Sequence, residues 1–230
     1  MDNIHSLRYA VYCKEKGFLD ARNYPDGKEY DLFDDYSVHF AAYNAKRELV
    51  GAVRLVIPGE GRPFPYEDFC KPLPAVSLPP RARSAEVSRL IIPQGSREQA
   101  DKEVLSFTSV LSSLLKQRKS SSSHEYTRVT PAAHQTTSPR ILLGLFRKMY
   151  RYSREHDISH WYAAMERPLE RMLRRYHFIF HPISEPVDYY GPVTLYLGNL
   201  AEFEATLAQR NPELLNWFQK SRGASPPVET

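Results

Sequence analysis

Ala85-Glu86-Val87-Ser88-Arg89-Leu90-Ile91-Ile92 is the stretch on which the reading of this chain turns. Its aliphatic and β-branched residues suit a strand, so a strand is expected over residues 85–92. Glu86 and Arg89 stand inside it, and an unpaired charge in buried sheet costs several kcal/mol, so each needs a partner or a substrate. The same problem arises upstream in Glu29-Tyr30-Asp31-Leu32-Phe33-Asp34, beside another apolar region. Two polar clusters in strand-like surroundings point to a site.

Outward from there, residues 38–44 and 49–57 are β-rich and separated by Ala45-Lys46-Arg47-Glu48, which predicts an antiparallel hairpin with Arg54 inside its second strand. Residues 4–16 carry apolar positions at mixed helical spacing and Gly17 marks a stop, giving a first helix. Pro25-Asp26-Gly27 punctuates a polar loop that leads to the acidic cluster. Proline density leaves residues 58–83 little regular structure beyond a short turn near 66–69. After the key strand, residues 96–118 have one apolar stripe (Val104, Phe107, Leu111, Leu114, Leu115), and residues 119–139, rich in Ser, Thr and Pro, read as a mobile loop. Helix at 140–157, strand at 159–165, helix at 167–177, strands at 178–183 and 193–197 around Tyr189-Tyr190-Gly191, and a last helix at 200–219 follow. The expected architecture is one α/β domain over 1–220, a mixed sheet with helices on both faces, and a frayed tail at 221–230.

The 230 residues, 42% apolar and 12% aromatic, suffice for a sizeable core. The net charge of +4 is too modest for a typical nucleic-acid binder. Cys13 and Cys70 lack metal or redox spacing, no signal-like start is seen, and no apolar run approaches the roughly 20 residues that cross a bilayer, so a cytoplasmic protein without a membrane segment is expected. His156/His160 and His177/His181 have four-residue spacing, but each pair straddles a helix-to-strand boundary, and no metal is expected. There is no Gly-x-Ser-x-Gly turn for a serine nucleophile.

Arg8-x-x-x-Tyr12, Asp31-x-x-Asp34, Gly51-x-x-Arg54 and Glu86-x-x-Arg89 together resemble, in order and spacing, the acyl-homoserine-lactone (autoinducer) synthases, which have the N-acetyltransferase-like (GNAT) fold. Pro168-Leu169-x-x-x-Leu173 and Gly191-Pro192-Val193 look more like the exosortase (PEP-CTERM)-system-associated acyltransferases and long-chain N-acyl amino acid synthases. The resemblance implies direct acyl transfer from the phosphopantetheine thioester of an acyl carrier protein to the amine of an amino acid or related small amine, with no permanently bound cofactor. By similarity Glu86 is the candidate general base or water-positioning group, with Asp31 and Asp34 as candidates to share that duty. Arg54 and Arg89 order those carboxylates or grip a substrate carboxylate, and Arg8 with Tyr12 closes the acceptor pocket.

Gln94-Gly95-Ser96-Arg97 replaces a glycine-rich phosphate loop, which favours a carrier protein over coenzyme A as donor. Arg147, Arg151 and Arg154 on one predicted helix face, and Arg171 with Arg167, Arg174 and Arg175 on the next, offer basic surfaces to an acidic carrier. Two alternatives stand beside this reading: a signal synthase that lactonises its product, and a catalytically silent module that binds an acylated ligand.

Overall fold

The computed structural model describes residues 1–93 and 139–220. The expected helix at 96–118, loop at 119–139 up to Ser138, residues 94–97 and the tail from 221 lie outside that description. Helix α1 (Asp2–Tyr9) leads into strands β1 (Ser37–Tyr43), β2 (Leu49–Val56) and β3 (Ser84–Ile91). Helix α2 (Pro139–Glu155), strand β4 (His160–Met165), helix α3 (Arg167–Arg175) and strand β5 (Phe180–Pro182) follow. Strands β6 (Val187–Asp188) and β7 (Pro192–Asn199) and helices α4 (Leu200–Arg210) and α5 (Pro212–Gln219) complete the fold.

The seven strands form a mixed sheet in the order β1-β2-β3-β4-β7-β5, with β6 paired to β7. Among the described strands only β3 and β4 run parallel, and the chain between them includes α2, as a crossover requires. Strand alternation divides the sheet. Val53, Leu55, Ala85, Val87, Trp161, Ala163 and Met165 face α2, α4 and α5, and pack with Leu142, Phe146, Met149, Phe203 and Phe218 into the main core. On the opposite face Tyr162 and Leu195 pack with Phe64, Tyr66 and Cys70 of the proline-rich connection. Ala52 and Ile91 receive Ile4 and Val11 from the first helical segment on that same face.

The elements differ from sequence expectation in three places. The first helix is α-helical only to Tyr9 and then widens into a π-helical turn, Ala10–Glu15, before Gly17 at φ +64 ends it. The last helix breaks at Asn211, whose side chain accepts from Leu214 N–H while Pro212 starts the next helix. The strand expected over 178–183 is only Phe180–Pro182 long.

Two irregularities matter for the site. The ladder between β3 and β4 runs through Ser84↔His160, Ala85↔Trp161 and Glu86↔Tyr162 and then stops, although both strands continue. The β2–β3 register also shifts between Ala52 and Arg54, opposite Arg89 at φ +50. This bulge bends β3 away from β4 and leaves a gap between them.

Candidate active site

A cavity of about 880 Å³ occupies that gap. It is lined by the outer half of β3 and the end of β4, by Tyr12 and Phe18 of the first segment, and by Phe69, Tyr189 and Tyr190. Phe69 and Tyr189 stack with centroids 3.7 Å apart and planes 3° from parallel, while Phe18 stacks on Tyr190 at 5.7 Å. Deeper apolar lining comes from residues such as Phe146, Met165 and Leu173.

Glu86 lines this cavity while being only 2% exposed. Strand alternation turns it away from the main core towards Tyr66, whose backbone N–H donates to Oε2 at 3.0 Å. Burial pushes its carboxyl up to about 8, against the opposing pull of the Tyr66 N–H and of Arg54 and Arg89. A carboxyl poised near neutrality at a cavity wall is the property of a general base or acid.

The remaining charges of both sequence motifs close on one another. Arg8 bonds Glu29, and donates to Asp34 Oδ1 at 2.6 Å. Arg54 reaches the same Asp34 oxygen at 2.9 Å and Asp31 Oδ1 at 2.5 Å, and its Nε donates to Ser88 Oγ at 3.0 Å. Arg89 bonds Asp31 Oδ2 at 2.9 Å and Glu29 Oε1 at 3.1 Å. The six groups form an alternating ring, Arg8–Glu29–Arg89–Asp31–Arg54–Asp34, in which every cation touches two carboxylates and the formal charges cancel. Asp31 and Asp34 also cap a 3₁₀ turn, Leu32–Tyr36, reciprocally, each accepting from a backbone N–H of the turn. Burial raises the Asp34 carboxyl, but His39, Arg8 and Arg54 outweigh it and hold it well below the usual carboxylate range.

The structure divides the expected site residues. Asp31 and Asp34 are both engaged by guanidiniums, and neither lines the cavity. Arg8 and Arg54 are 0% and 1% exposed and also stand off the cavity. Tyr12 and Arg89 do line it, with the Arg89 guanidinium 5.4 Å from the Tyr12 ring centre. The basic face of α2 is partly spent internally: Arg147 lies 4.6 Å over Trp217 and donates to Lys220 O at 2.8 Å, and Arg154 pairs with Glu204 at 3.4 Å. Arg151 stands beside them at a shallow second pocket. Arg171 belongs to the main cavity, together with Arg175 and Lys16, and none of the three has an ion pair among the described residues.

Glu29 is the member sequence reasoning quoted but gave no role. Its signal is the two-residue spacing to Asp31, which in extended chain sends both carboxylates the same way. Tyr189 and Tyr190 read as turn residues in sequence, and the cavity wall they form depends on Phe69 and Phe18 arriving from elsewhere.

For metals, His181 pairs with Glu202 at 2.8 Å, and His156 Nδ1 is 2.9 Å from Tyr152 O. Another trio, His5, Asp34 and His39, brings its donor atoms within 4.8 Å of one another. The Asp34 oxygen there already holds two guanidiniums, and their charge opposes a divalent cation.

Residues 7–106 match the model of the acetyltransferase (GNAT) domain. No curated protein matches the sequence. Among solved structures, TofI in a ternary complex with an inhibitor and MTA aligns at 17% identity and a TM-score of 0.59, over 92% of this chain and 91% of that one. BjaI, a CoA-dependent acyl-homoserine lactone synthase bound to SAM and isopentyl-CoA, aligns at 15% identity and 0.54, over 94% and 90%. FeeM, an N-acyl amino acid synthase from uncultured soil microbes, aligns at 12% and 0.50, over 89% and 87%. The fold is GNAT-like, and the first part of the chain is similar to the acetyltransferase (GNAT) domain.

Proposed function

We propose that the protein moves a long-chain acyl group from a thioester to the amine of an amino acid or related small amine by direct attack. The observation that carries this reading is Glu86: a buried carboxyl, raised to about 8, on the wall of a large cavity opened by the parting of β3 and β4. In the reaction the amine nitrogen attacks the thioester carbon, and Glu86 accepts the ammonium proton before or during attack. The carbonyl oxygen becomes an oxyanion, for which we assign backbone N–H groups of β3 beyond Glu86 as donors; its collapse expels the thiolate, which takes up the second proton lost by the amine nitrogen and leaves as thiol. Arg89 and Tyr12 line the acceptor side. Lys16, Arg171 and Arg175 supply positive charge for the donor, which we assign to acyl carrier protein over acyl-CoA.

The motifs at Pro168–Leu173 and Gly191–Val193 support the exosortase-associated and N-acyl amino acid synthase branch. Among the described residues no helix is long and apolar enough to cross a membrane, and Cys13 and Cys70 are buried free thiols. Both accord with our assignment of the reaction to the cytoplasm.

The test incubates purified protein with long-chain acyl carrier protein, or acyl-CoA, and a panel of amino acids, with free thiol and product mass as readouts. An amide-linked product is expected. A mass lower by one water from a homoserine-type acceptor identifies a lactone-forming synthase, for which the likeness to BjaI speaks. Absence of both thiol and amide across the panel removes the enzyme reading and leaves the acyl-binding module.

A further inference from the structure

Among the described residues, the one hydrogen bond that reaches the Glu86 carboxyl comes from the backbone of a segment that has no regular partner strand. Tyr66 sits in the 3₁₀ turn Pro65–Asp68, within a connection crowded with prolines, and its N–H donates to Oε2 at 3.0 Å. Such a connection needs an anchor if it is to keep a donor aimed at one oxygen.

Arg81 supplies one. It stands in the short 3₁₀ turn Arg81–Arg83 directly before β3, the strand that carries Glu86. Its Nη1 donates to Glu67 Oε1 at 2.6 Å, Nη2 donates to the carbonyl of Arg62, and its guanidinium lies 4.5 Å over the Phe64 ring. Phe64 stacks on Tyr66 at 5.6 Å, and both rings lean on Tyr162 of β4, at 5.2 and 4.9 Å. One side chain thus grips residues 62, 64 and 67, the three that bracket Tyr66, and ties them to the start of Glu86's own strand. An exposed ion pair of this kind contributes little to stability in general, so its three-point geometry calls for another explanation.

We propose that Arg81 is a positioning residue: by clamping the 62–67 segment to the root of β3 it holds the Tyr66 N–H on Glu86 and thereby sets the pH at which the base becomes active. This rests on the reading of Glu86 as the base. The charged and titratable groups around Glu86 are Tyr66 and Glu67 from the clamped segment, Cys70 just beyond it, Tyr162 opposite Glu86 on β4, Arg54 from β2 and Arg89 from β3 itself. The Tyr66 N–H favours the carboxylate, so loosening it moves the Glu86 titration upward.

The test follows the Glu86 carboxyl by carbon NMR of glutamate-labelled protein, assigned with Glu86→Gln, alongside the pH profile of acyl transfer. Arg81→Ala is expected to raise the Glu86 midpoint by about half a pH unit or more and to move the acidic limb of kcat/KM with it, with Arg81→Lys bringing the midpoint part of the way back to the parental value. Glu67, left unneutralised, would raise the midpoint by charge alone, so the double variant Arg81→Ala/Glu67→Ala is measured too; a retained upward shift supports the clamp. An unchanged midpoint in either variant overturns it. A downward shift also overturns it, because the segment then acts by excluding water. The NMR midpoint needs no substrate, so a failure of the clamp is distinguished from a failure of the acyltransfer reading. Should Arg81→Ala not fold, Arg81→Gln, which keeps a polar stem and loses the fork, takes its place with the same outcomes.

Discussion

Asp34 holds one oxygen against two guanidiniums and the other against the Asp31 N–H, so both of its oxygens are engaged within the fold. Asp34→Asn leaves Arg8 and Arg54 buried without that charge and is expected to cost about 3–5 kcal/mol in urea unfolding at neutral pH. Because the folded carboxyl titrates below its unfolded value, this stabilisation is present above the ordinary carboxylate range and is lost as pH falls. The deficit of the Asn variant should therefore shrink in acid. The adjacent, exposed Asp35→Asn should stay within about 0.5 kcal/mol of the parent. Glu86 behaves in the opposite sense. Its folded carboxyl is raised, so its contribution is fully present below the ordinary glutamate value and is lost as pH rises through about 8. Glu86→Gln should accordingly gain in melting temperature over the parent as pH climbs from 5 to above 8, while turnover falls about 10²-fold. Parental kcat/KM should rise with pH up to about 8, where the free carboxyl loses its proton. Unchanged turnover in Glu86→Gln would pass the proton to bulk water.

Among the elements, the meeting of α2 with β2 is set by a missing side chain. A Cβ on Gly51 would come 2.7 Å from Ile141 Cγ2 and 3.3 Å from the Ile91 carbonyl. Gly51→Ala must displace Ile141 or α2 from the sheet, and a loss of about 1–3 kcal/mol is expected from thermal unfolding, with an Ile141→Ala background, which removes Cγ2, relieving part of it. Gly51-x-x-Arg54 was legible as a motif with an arginine in a strand, but the reason for its glycine was not, since Ile141 lies far along the chain. The strands at β1, β2, β3 and β4 were readable from alternation and β-branching. The π-helical turn after Tyr9 was not: periodicity over so few residues does not separate a widened turn from an ordinary one.

At the scale of the molecule, charge is distributed in two ways. The ring of three arginines and three carboxylates is self-neutral, whereas Lys16, Arg171 and Arg175 remain without ion pairs at the cavity among the described residues. An acidic carrier should meet these cations. Arg171→Glu/Arg175→Glu is expected to raise the KM for acyl carrier protein about tenfold and to flatten its salt dependence, with little effect on a small thioester mimic. Arg147→Glu, which opens the contact with Trp217 and Lys220, should lower stability and leave carrier kinetics alone. Equal KM values in the α3 double variant and the parent would return those arginines to ordinary helix surface.

The sequence by itself determined the α/β class, the strands nearest the site, and the statement that charges in Glu86-x-x-Arg89 and the 29–34 cluster need partners, because period and the cost of a buried charge are local properties. Which partner each charge takes was decided only in three dimensions. Arg8 and Arg89 meet through Glu29 because sheet order sets β2 beside β3 and α1 across them, and only the bulge at Arg89 and the early end of the β3–β4 ladder separate Glu86, left at the cavity, from carboxylates that the arginines consume. Partner choice depends on distances between segments far apart in the chain, and no spacing in the sequence encodes them.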